Sequence, residues 1–382
     1  MRKVRIEDFI DILSGYAFAS KKFNSDGIGL PIIRIRDVGQ AESETYFDGD
    51  YDEKYLIKKG AMLIGMDGDF RLAKWKGNPS LLNQRVCRIK SNSEALLDDY
   101  LYYALPIKLK KIEDATSFVT VKHLSVKKIN AIKIPLPSLE EQKAIVAKLD
   151  RAQRLIDIDK AMLTKYDQLI QSVFLDMFGD PVTNPKGWDV KSLKSVTTKI
   201  GSGATPRGGK EAYKDEGLSL IRSLNVYDNK FKYKNLAFID DEQADKLSNV
   251  IVDEGDVLFN ITGASVCRCC IVPEEILPAR VNQHVSILRP KKEMLSSQFL
   301  MFCLVSDNVK DTLLGIGEQG GATRQAITKT QLQNFELILP PIEKQKEFET
   351  AVTKIEIQKV HSLSSLQRSQ DLFSSMVQEV FG

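Results

Sequence analysis

LSVKKINAIKIPLPSLEEQKAIVAKLDRAQRLIDIDKAMLTKYDQLIQSVFLDMFG, residues 124 to 179, returns as ITKTQLQNFELILPPIEKQKEFETAVTKIEIQKVHSLSSLQRSQDLFSSMVQEVFG at residues 327 to 382. Placing Gln142 on Gln345 sets a shift of 345 − 142 = 203. That shift carries Pro137 to Pro340, Glu140 to Glu343, Leu163 to Leu366, Phe178 to Phe381 and Gly179 to Gly382 without a gap. A repeat of this length implies that a globular module and a long segment alternate twice.

The repeated segments read as helices. Ile145, Leu149, Ala152, Ile156, Asp159, Leu163, Tyr166, Ile170, Val173 and Met177 follow a 4,3,4,3 spacing, the narrow stripe of a coiled-coil seam. Asp159 alone interrupts it. The second copy places Phe348, Val352, Ile355, Lys359, Ser362, Leu366, Ser369, Phe373, Met376 and Val380 at the same positions. Its middle is more polar, and Val360 and Leu363 beside the seam suggest a local shift of register. Matching seams imply that the two helices pair as an antiparallel coiled coil. Ser138 and Glu141 have capping-box spacing, and Pro341 stands at the equivalent of Ser138, where proline suits a first turn. About 40 residues at about 1.5 Å each make each helix about 60 Å long.

The expected layout is a module at 1–137, a helical spacer at 138–179, a second module at 180–340 and a second spacer at 341–382. The modules echo each other. Leu30-Pro-Ile-Ile-Arg34 parallels Leu218-Ser-Leu-Ile-Arg222, Lys59-Gly60-Ala-Met-Leu63 parallels Glu254-Gly255-Asp-Val-Leu258, Asn83-Gln84-Arg85-Val86 parallels Asn282-Gln283-His284-Val285, and Tyr100–Tyr103 parallels Phe299–Phe302. Short apolar or alternating runs between Gly, Asp and Asn turns give α+β modules dominated by sheet. The fold class is therefore α+β: two similar β-rich modules with two long helices, in a pseudo-two-fold internal repeat.

With 43% hydrophobic and 27% charged residues over 382 positions, the composition is that of an ordinary globular protein, long enough for two domains. No apolar run approaches the roughly 20 residues that span a bilayer, and MRKVRIEDFI is strand-like rather than a signal peptide. A membrane association is not expected, and a cytoplasmic location is. Five cysteines, an odd number, do not make a disulfide framework. A net charge of +3 leaves room for a local basic face, best placed between Lys108 and Lys133 (Lys110, Lys111, Lys122, His123, Lys127, Lys128).

The ordered set of module, PLPxxEEQ helix, second module and LPPxEKQ helix resembles the specificity subunit of type I restriction-modification systems across essentially the whole chain. Gly201-Ser-Gly-Ala-Thr-Pro206, Gly255-Asp-Val-Leu258, Thr262-Gly-Ala-Ser265, Asn-Gln-x-Val in both modules and Gly321-Ala-Thr-Arg324 carry the likeness. The first module departs from it, with Ser14-Gly-Tyr-Ala-Phe18 and Phe118-Val-Thr-Val-Lys122 at the corresponding places. The resemblance implies two target-recognition domains, each reading one half of a split, asymmetric target in double-stranded DNA, and helices that measure the unread spacer. It also implies two methyltransferase (M) subunits that carry S-adenosylmethionine, with none on this chain, and restriction (R) subunits.

Base reading calls for Arg or Lys on guanine and Asn or Gln on adenine, while phosphates take Lys, Arg, Ser and Thr. The DNA-contact candidates are Arg34, Arg36, Arg71, Lys74, Lys76, Lys122 and His123 in the first module. In the second they are Arg207, Lys210, Arg222, Asn225, Arg268, Arg324 and Gln325. Glu140, Glu141, Lys148, Arg151, Glu343 and Lys344 on the helices are candidates for docking the methyltransferase. The plain alternative for each is a solvated surface charge.

Other motifs are weaker. Gly315-Ile-Gly317-Glu-Gln-Gly320 fits GxGxxG but follows a helical stretch, where a dinucleotide site needs a strand. Gly203–Lys210 misses the phosphate-loop spacing, and Glu211 stands where Ser or Thr is required. Cys267, Cys269 and Cys270 have no partner pair at ligand spacing, so buried strand thiols and no metal are expected. Neither [Asp/Asn]-Pro-Pro-[Tyr/Phe] nor a cofactor loop occurs, which argues against a methyltransferase in this chain. A non-catalytic DNA-recognition subunit is the expected function. The alternative is a coiled-coil protein-interaction scaffold with two binding modules.

Overall fold

The structure, a computed structural model, describes residues 2–116, 122–206, 208–318 and 326–382, with Lys210 and Glu318 described by backbone alone. It divides into two compact units, Met1–Ala161 with Ser362–Gly382, and Met162–His361. Both long helices are continuous, Leu139–Phe178 (the central helix) and Ile342–Phe381 (the C-terminal helix), 40 residues each. Each unit therefore owns part of both.

In the first unit, an antiparallel four-stranded sheet runs in the order Ile10–Ser14, Val86–Ser91, Met62–Gly65, Leu72–Lys74. A second, mixed sheet holds Leu30–Ile33 parallel to Ser80–Leu82, with Leu56–Ile57 antiparallel on the far side of Ser80–Leu82. Met62–Gly65 is buried throughout, and that is why it reads as a continuous apolar run. Its side chains alternate between two cores: Met62 and Ile64 join the layer under helix Asp98–Asp114, whereas Leu63 joins the layer shared with the mixed sheet.

The second unit repeats the plan. Its antiparallel sheet runs Thr197–Ser202, Val285–Pro290, Val257–Asn260, Cys269–Ile271, and its mixed sheet holds Leu218–Ile221 parallel to Ala279–Val281. Val257 and Phe259 face the core under helix Ser297–Val305, and Leu258 faces the other. Cys267, Cys269, Cys270 and Cys303 are buried free thiols in or beside these layers. Gly315 and Gly317 lie in helix Asp307–Glu318.

Within each unit the helices run antiparallel. In the first, Val146 and Leu149 of the central helix share a core with Phe373, Met376 and Phe381. In the second, Ile170, Phe174 and Phe178 share one with Phe348 and Val352. Every seam position expected from the 4,3 spacing is buried or half-buried, and Val146, Phe174, Phe178 and Phe381 are further buried against the modules. The expected register shift at Val360 and Leu363 does not occur: both are exposed, and the seam continues through Lys359 and Ser362. Its polar positions are satisfied in place. Asp159 accepts hydrogen bonds from Ser365 and Ser369 at 3.2 and 3.1 Å, and Lys359 lies 2.6 Å from Asp167. The Ser138–Glu141 capping box forms, with the Glu141 carboxylate accepting from the Ser138 amide at 2.9 Å and Ser138 Oγ accepting from the Glu141 amide at 3.3 Å. No helix among the described residues is long and apolar enough to cross a membrane.

The glutamine of the repeated motif anchors each helix to a module. Gln142 is fully buried; its Oε1 accepts from the Leu97 amide at 2.9 Å, and its Nε2 donates to the carbonyls of Ala95 and Pro137 at 2.8 and 3.0 Å. Gln345 does the same with the Ser296 amide and the carbonyls of Met294 and Pro340, at 2.8, 3.0 and 2.7 Å. At the far ends, Phe381 meets Tyr100 and Phe178 meets Phe299, with ring centroids 5.1 and 4.7 Å apart.

Candidate functional site

Each module carries a rim built on the Asn-Gln-x-Val turn that leads into a central strand. In the first, the Met66 amide donates to the Arg85 carbonyl at 2.8 Å and the Leu124 amide to the Met66 carbonyl at 2.7 Å. In the second, Ile261 donates to His284 at 3.0 Å and Ile327 to Ile261 at 2.8 Å. The same three segments are thus tied in the same order. The turn between them holds Gly68 in one module and Gly263 in the other, at φ of 70° and 76°, a conformation that glycine adopts without strain. On the other flank, Gly15 and Gly203 press on backbone: an added Cβ would lie 2.0 Å from the Asn83 oxygen or 1.8 Å from the Val281 oxygen.

The side chains on this common frame differ. In the first module, Asp67 reaches His123 Nδ1 at 2.7 Å and Arg85 at 3.3 Å. In the second, Thr262 stands at the equivalent of Asp67 and meets His284 Nδ1 at 2.6 Å. Beyond the turn, the first module presents Tyr16, half-exposed and packed on Tyr55 and Phe18 at centroid distances of 5.3 and 5.1 Å. The second presents Thr205, hydrogen-bonded to Gln283. A concavity of about 590 Å³ opens beside the second rim, lined by Tyr227, Thr262, Ser265, Arg268 and His284 among others. Arg268 lies over the Tyr227 ring at 4.6 Å, and a hydrogen bond from Lys232 holds the Tyr227 hydroxyl below its ordinary pKa. Cationic and aromatic groups therefore converge there.

Of the residues expected to contact DNA, His123 belongs to the first rim and Arg268 to the second concavity. Arg34 and Arg222 occupy equivalent places, each opening a short turn closed by a side chain on its own amide: Asp37 at 2.8 Å and Asn225 at 3.1 Å. Asn225 is fully buried, and its amide nitrogen also donates to Lys232. It is a turn-closing residue, withheld from any base because both ends of its amide are used inside the module. Arg222 stacks over Tyr213 at 5.0 Å and donates to the Asn235 carbonyl. Arg36 is exposed and donates to Thr45 Oγ1 at 3.1 Å, Arg71 is exposed 3.9 Å from Asp69, and Lys76 is exposed. Lys74 is engaged by Asp99 at 2.6 Å and lies over Tyr102, and Lys122 is largely buried 4.0 Å from Glu113. Arg207, Arg324, Gln325, residues 118–121 and the Lys210 side chain lie outside the described residues.

The basic stretch builds a separate concavity of about 530 Å³ lined by Lys108, Lys111, Lys128 and Lys133. Burial lowers the Lys108 pKa, and Lys111 and Lys3 add to the effect. On the helices, Glu140, Glu141, Lys148, Arg151, Glu343 and Lys344 are all exposed, although Glu141 is occupied by its cap and Lys344 by Glu347 at 2.7 Å. Asp67, Gln84, Arg85, Thr262, Gln283 and His284 were not singled out from sequence. For Gln84, Arg85, Gln283 and His284 the signal was the Asn-Gln-x-Val repeat itself, with its variable third position; Thr262 opens the Thr262-Gly-Ala-Ser265 motif, and Asp67 had no signal of its own. Among the described residues no three His, Cys, Asp or Glu side chains gather as metal ligands.

A β-rich module made twice, each copy packed on antiparallel stretches of two long helices, is the architecture of a type I specificity subunit. The residue pattern of the family described as "Type I restriction modification DNA specificity domain" matches residues 1–165 and 185–360, and the chain belongs to that family. It is 30% identical, over 92% of its length and 78% of the relative's, to the type I restriction enzyme EcoBI specificity subunit of Escherichia coli. It is 23% identical, over 90% and 83%, to the MjaVIII specificity subunit of Methanocaldococcus jannaschii. Two solved chains share the fold over the whole of this one. They are the S subunit of a type I system from M. genitalium (TM-score 0.54, 12% identity, 96% of that chain) and a chain from a study of complex assembly and conformational transition in a type I system (TM-score 0.61, 18% identity, 97% of that chain). The chain is thus a non-catalytic subunit that recognises DNA sequence.

Proposed function

We propose that the chain reads a bipartite, asymmetric target and directs type I methyltransferase and restriction subunits to it. The observation that carries this reading is one module frame built twice with unlike side chains on its rim: Asp67, Arg85 and His123 in one copy, Thr262 and His284 in the other. Equivalent frames offer equivalent docking on two stretches of duplex, and unlike rims select unlike bases. The modules at 1–137 and 180–340 are the target-recognition domains, and the helices at 138–179 and 341–382 set the unread spacer. Arg36, Arg71, Lys76 and Arg268, all reachable by solvent, supply DNA contacts alongside the rims. Two methyltransferase subunits, carrying the S-adenosylmethionine, dock on the helices through faces that include Glu140, Lys148, Arg151 and Glu343, and the restriction subunits join that complex.

The test is a genome-wide map of methylated adenines in cells with and without this chain, the methyltransferase partner being present in both. Loss of one split motif, with unlike halves around a fixed spacer, is the expected result. An unchanged map with an active partner would overturn the proposal. Binding by the assembled complex should also weaken steeply with salt, by about 0.9 in log K per log salt for each neutralised phosphate.

A further inference from the structure

The Asn-Gln-x-Val turn is built differently in the two modules at its third residue. In the second module, Asn282 Oδ1 accepts a hydrogen bond from the His284 amide at 3.0 Å, and His284 has an ordinary backbone conformation. In the first, Arg85 sits at φ of 71°, and the buried Asn83 Oδ1 has no hydrogen-bond partner among the described residues. A left-handed conformation at a long side chain and an orphaned buried acceptor are both unfavourable, and they occur together at one turn. The alternative backbone stands in the same chain, on the same frame. Local strain of this kind persists where it holds a functional group in place.

What the strained turn presents is a guanidinium with 56% of its side chain exposed, held at 3.3 Å by the largely buried Asp67 carboxylate. The other Asp67 oxygen is fixed by His123 at 2.7 Å, so the carboxylate that orients Arg85 is itself oriented. An exposed guanidinium paired through Nη1 with a carboxylate keeps further N–H donors on its planar fork, the kind of group that suits the paired acceptors O6 and N7 of guanine in the major groove.

Resting on the proposed bipartite reading, we propose that Arg85 is a specificity-determining residue that reads a guanine in the half-site of the first module. Asp67 and His123 are the positioning residues that aim it. The second module, with Thr262 and His284 at this place, lacks this guanine reader, so the position is one source of the target's asymmetry.

The test uses Arg85→Lys and Asp67→Asn in the full chain, co-expressed with the methyltransferase partner, with methylated adenines mapped genome-wide. Arg85→Lys keeps the charge and removes the planar fork. The expected result is relaxation at one guanine of one half-site, by roughly 5- to 150-fold in selectivity, with the other half-site and the spacer unchanged. Asp67→Asn should relax the same position and no other. Thermal unfolding of each variant, matched to the parent, separates a reading defect from a folding one.

An unchanged motif for a folded Arg85→Lys variant overturns the inference. So does a uniform loss of affinity for all sequences, with the salt slope lowered by about one on Arg85→Ala substitution, since that marks a phosphate contact. Failure of the parent chain to direct any split motif is a separate result, and it would instead overturn the proposed function.

Discussion

Replacing Gln345 with alanine tests whether the repeated glutamine locks helix to module. The side chain closes three hydrogen bonds of 2.7 to 3.0 Å, and neither Gln345 nor Ser296, whose amide donates to Gln345 Oε1, reaches solvent freely. Each buried group stranded by the change costs about 1–3 kcal/mol. Three such groups make about 3–9 kcal/mol, and because the two carbonyls accept water more readily than a stranded N–H finds an acceptor, the loss falls in the low part of that range, about 3 to 5 kcal/mol. The chain provides its own unit-specific reporters, because it has only two tryptophans. Trp75 is buried in the first unit, and Trp188 in the second donates to the Phe178 carbonyl at 2.9 Å. With Trp75 replaced by phenylalanine, urea unfolding followed by Trp188 fluorescence should shift down by about 1.5 to 2.5 M, taking a slope of about 2 kcal/mol/M. Gln142→Ala should act in the same way on the Trp75 signal with Trp188 replaced. Gln345→Glu refines the argument: its carboxylate would face the Met294 and Pro340 carbonyls, which raises its pKa in the folded state. A raised carboxyl pKa leaves the variant near parental stability below the unfolded value of about 4.3, with the deficit growing as pH rises through the folded value. A shift under about 0.5 M for Gln345→Ala, or a Gln345→Glu deficit that does not grow with pH, would refute the clamp.

Gly203→Ala, with backbone oxygen 1.8 Å from the new Cβ, should destabilise the second unit by about 2 kcal/mol or more, while Gly201→Ala, which meets nothing within 4 Å, should stay within about 1 kcal/mol of the parent. Paired urea melts decide this, and equal effects would contradict the close approach. Burial pushes Cys87, Cys267, Cys270 and Cys303 up to about 12, and raises Cys269 well above the ordinary thiol value. About one thiol in 10⁴ is then ionised at pH 8, so iodoacetamide should leave native protein unlabelled by mass spectrometry and label all five cysteines in urea. Rapid labelling of native Cys267 would count against its burial. Arg85→Gly relieves the left-handed backbone at φ of 71°, and its stability should lie between parental and about 1 kcal/mol above it. A loss beyond about 1 kcal/mol in the Trp75 melt would mean that Arg85 is there for the fold.

The long helices were legible because their signal is periodic and long: the 4,3 seam predicted which positions are covered in both copies. The misjudgement in the helices came from reading the polar middle of the second seam as a shift of register toward Val360 and Leu363. Lys359 and Asp159 have partners across the helix pair, and sequence spacing does not reveal a partner roughly 200 positions away. The modules were legible as a repeat, since Leu30–Ile33 and Leu218–Ile221 prove to be the equivalent parallel strands. The rim was only partly so. Picking residues by type, cations for guanine and phosphate and amides for adenine, finds Arg36, Arg71 and His123, but it also finds Asn225, a buried turn closure, and Lys74, already held by Asp99. It passes over Arg85 and His284, whose importance rests on backbone conformation and on Asp67 and Thr262, brought beside them by the sheet.

Comparison of the two copies separates what builds the module from what the module reads. Features present in both with the same geometry belong to the frame: the glutamine clamp, the positive-φ glycine, the glycine pressed on backbone, and the turn closed on an arginine amide by Asp37 or Asn225. Features at equivalent places with different chemistry are free of that demand. Arg85 against His284, Asp67 against Thr262 and Tyr16 against Ala204 are such pairs, and all three lie along one rim. A turn that accepts strain in one copy and avoids it in the other is what the proposed reading of two different half-sites on one scaffold requires.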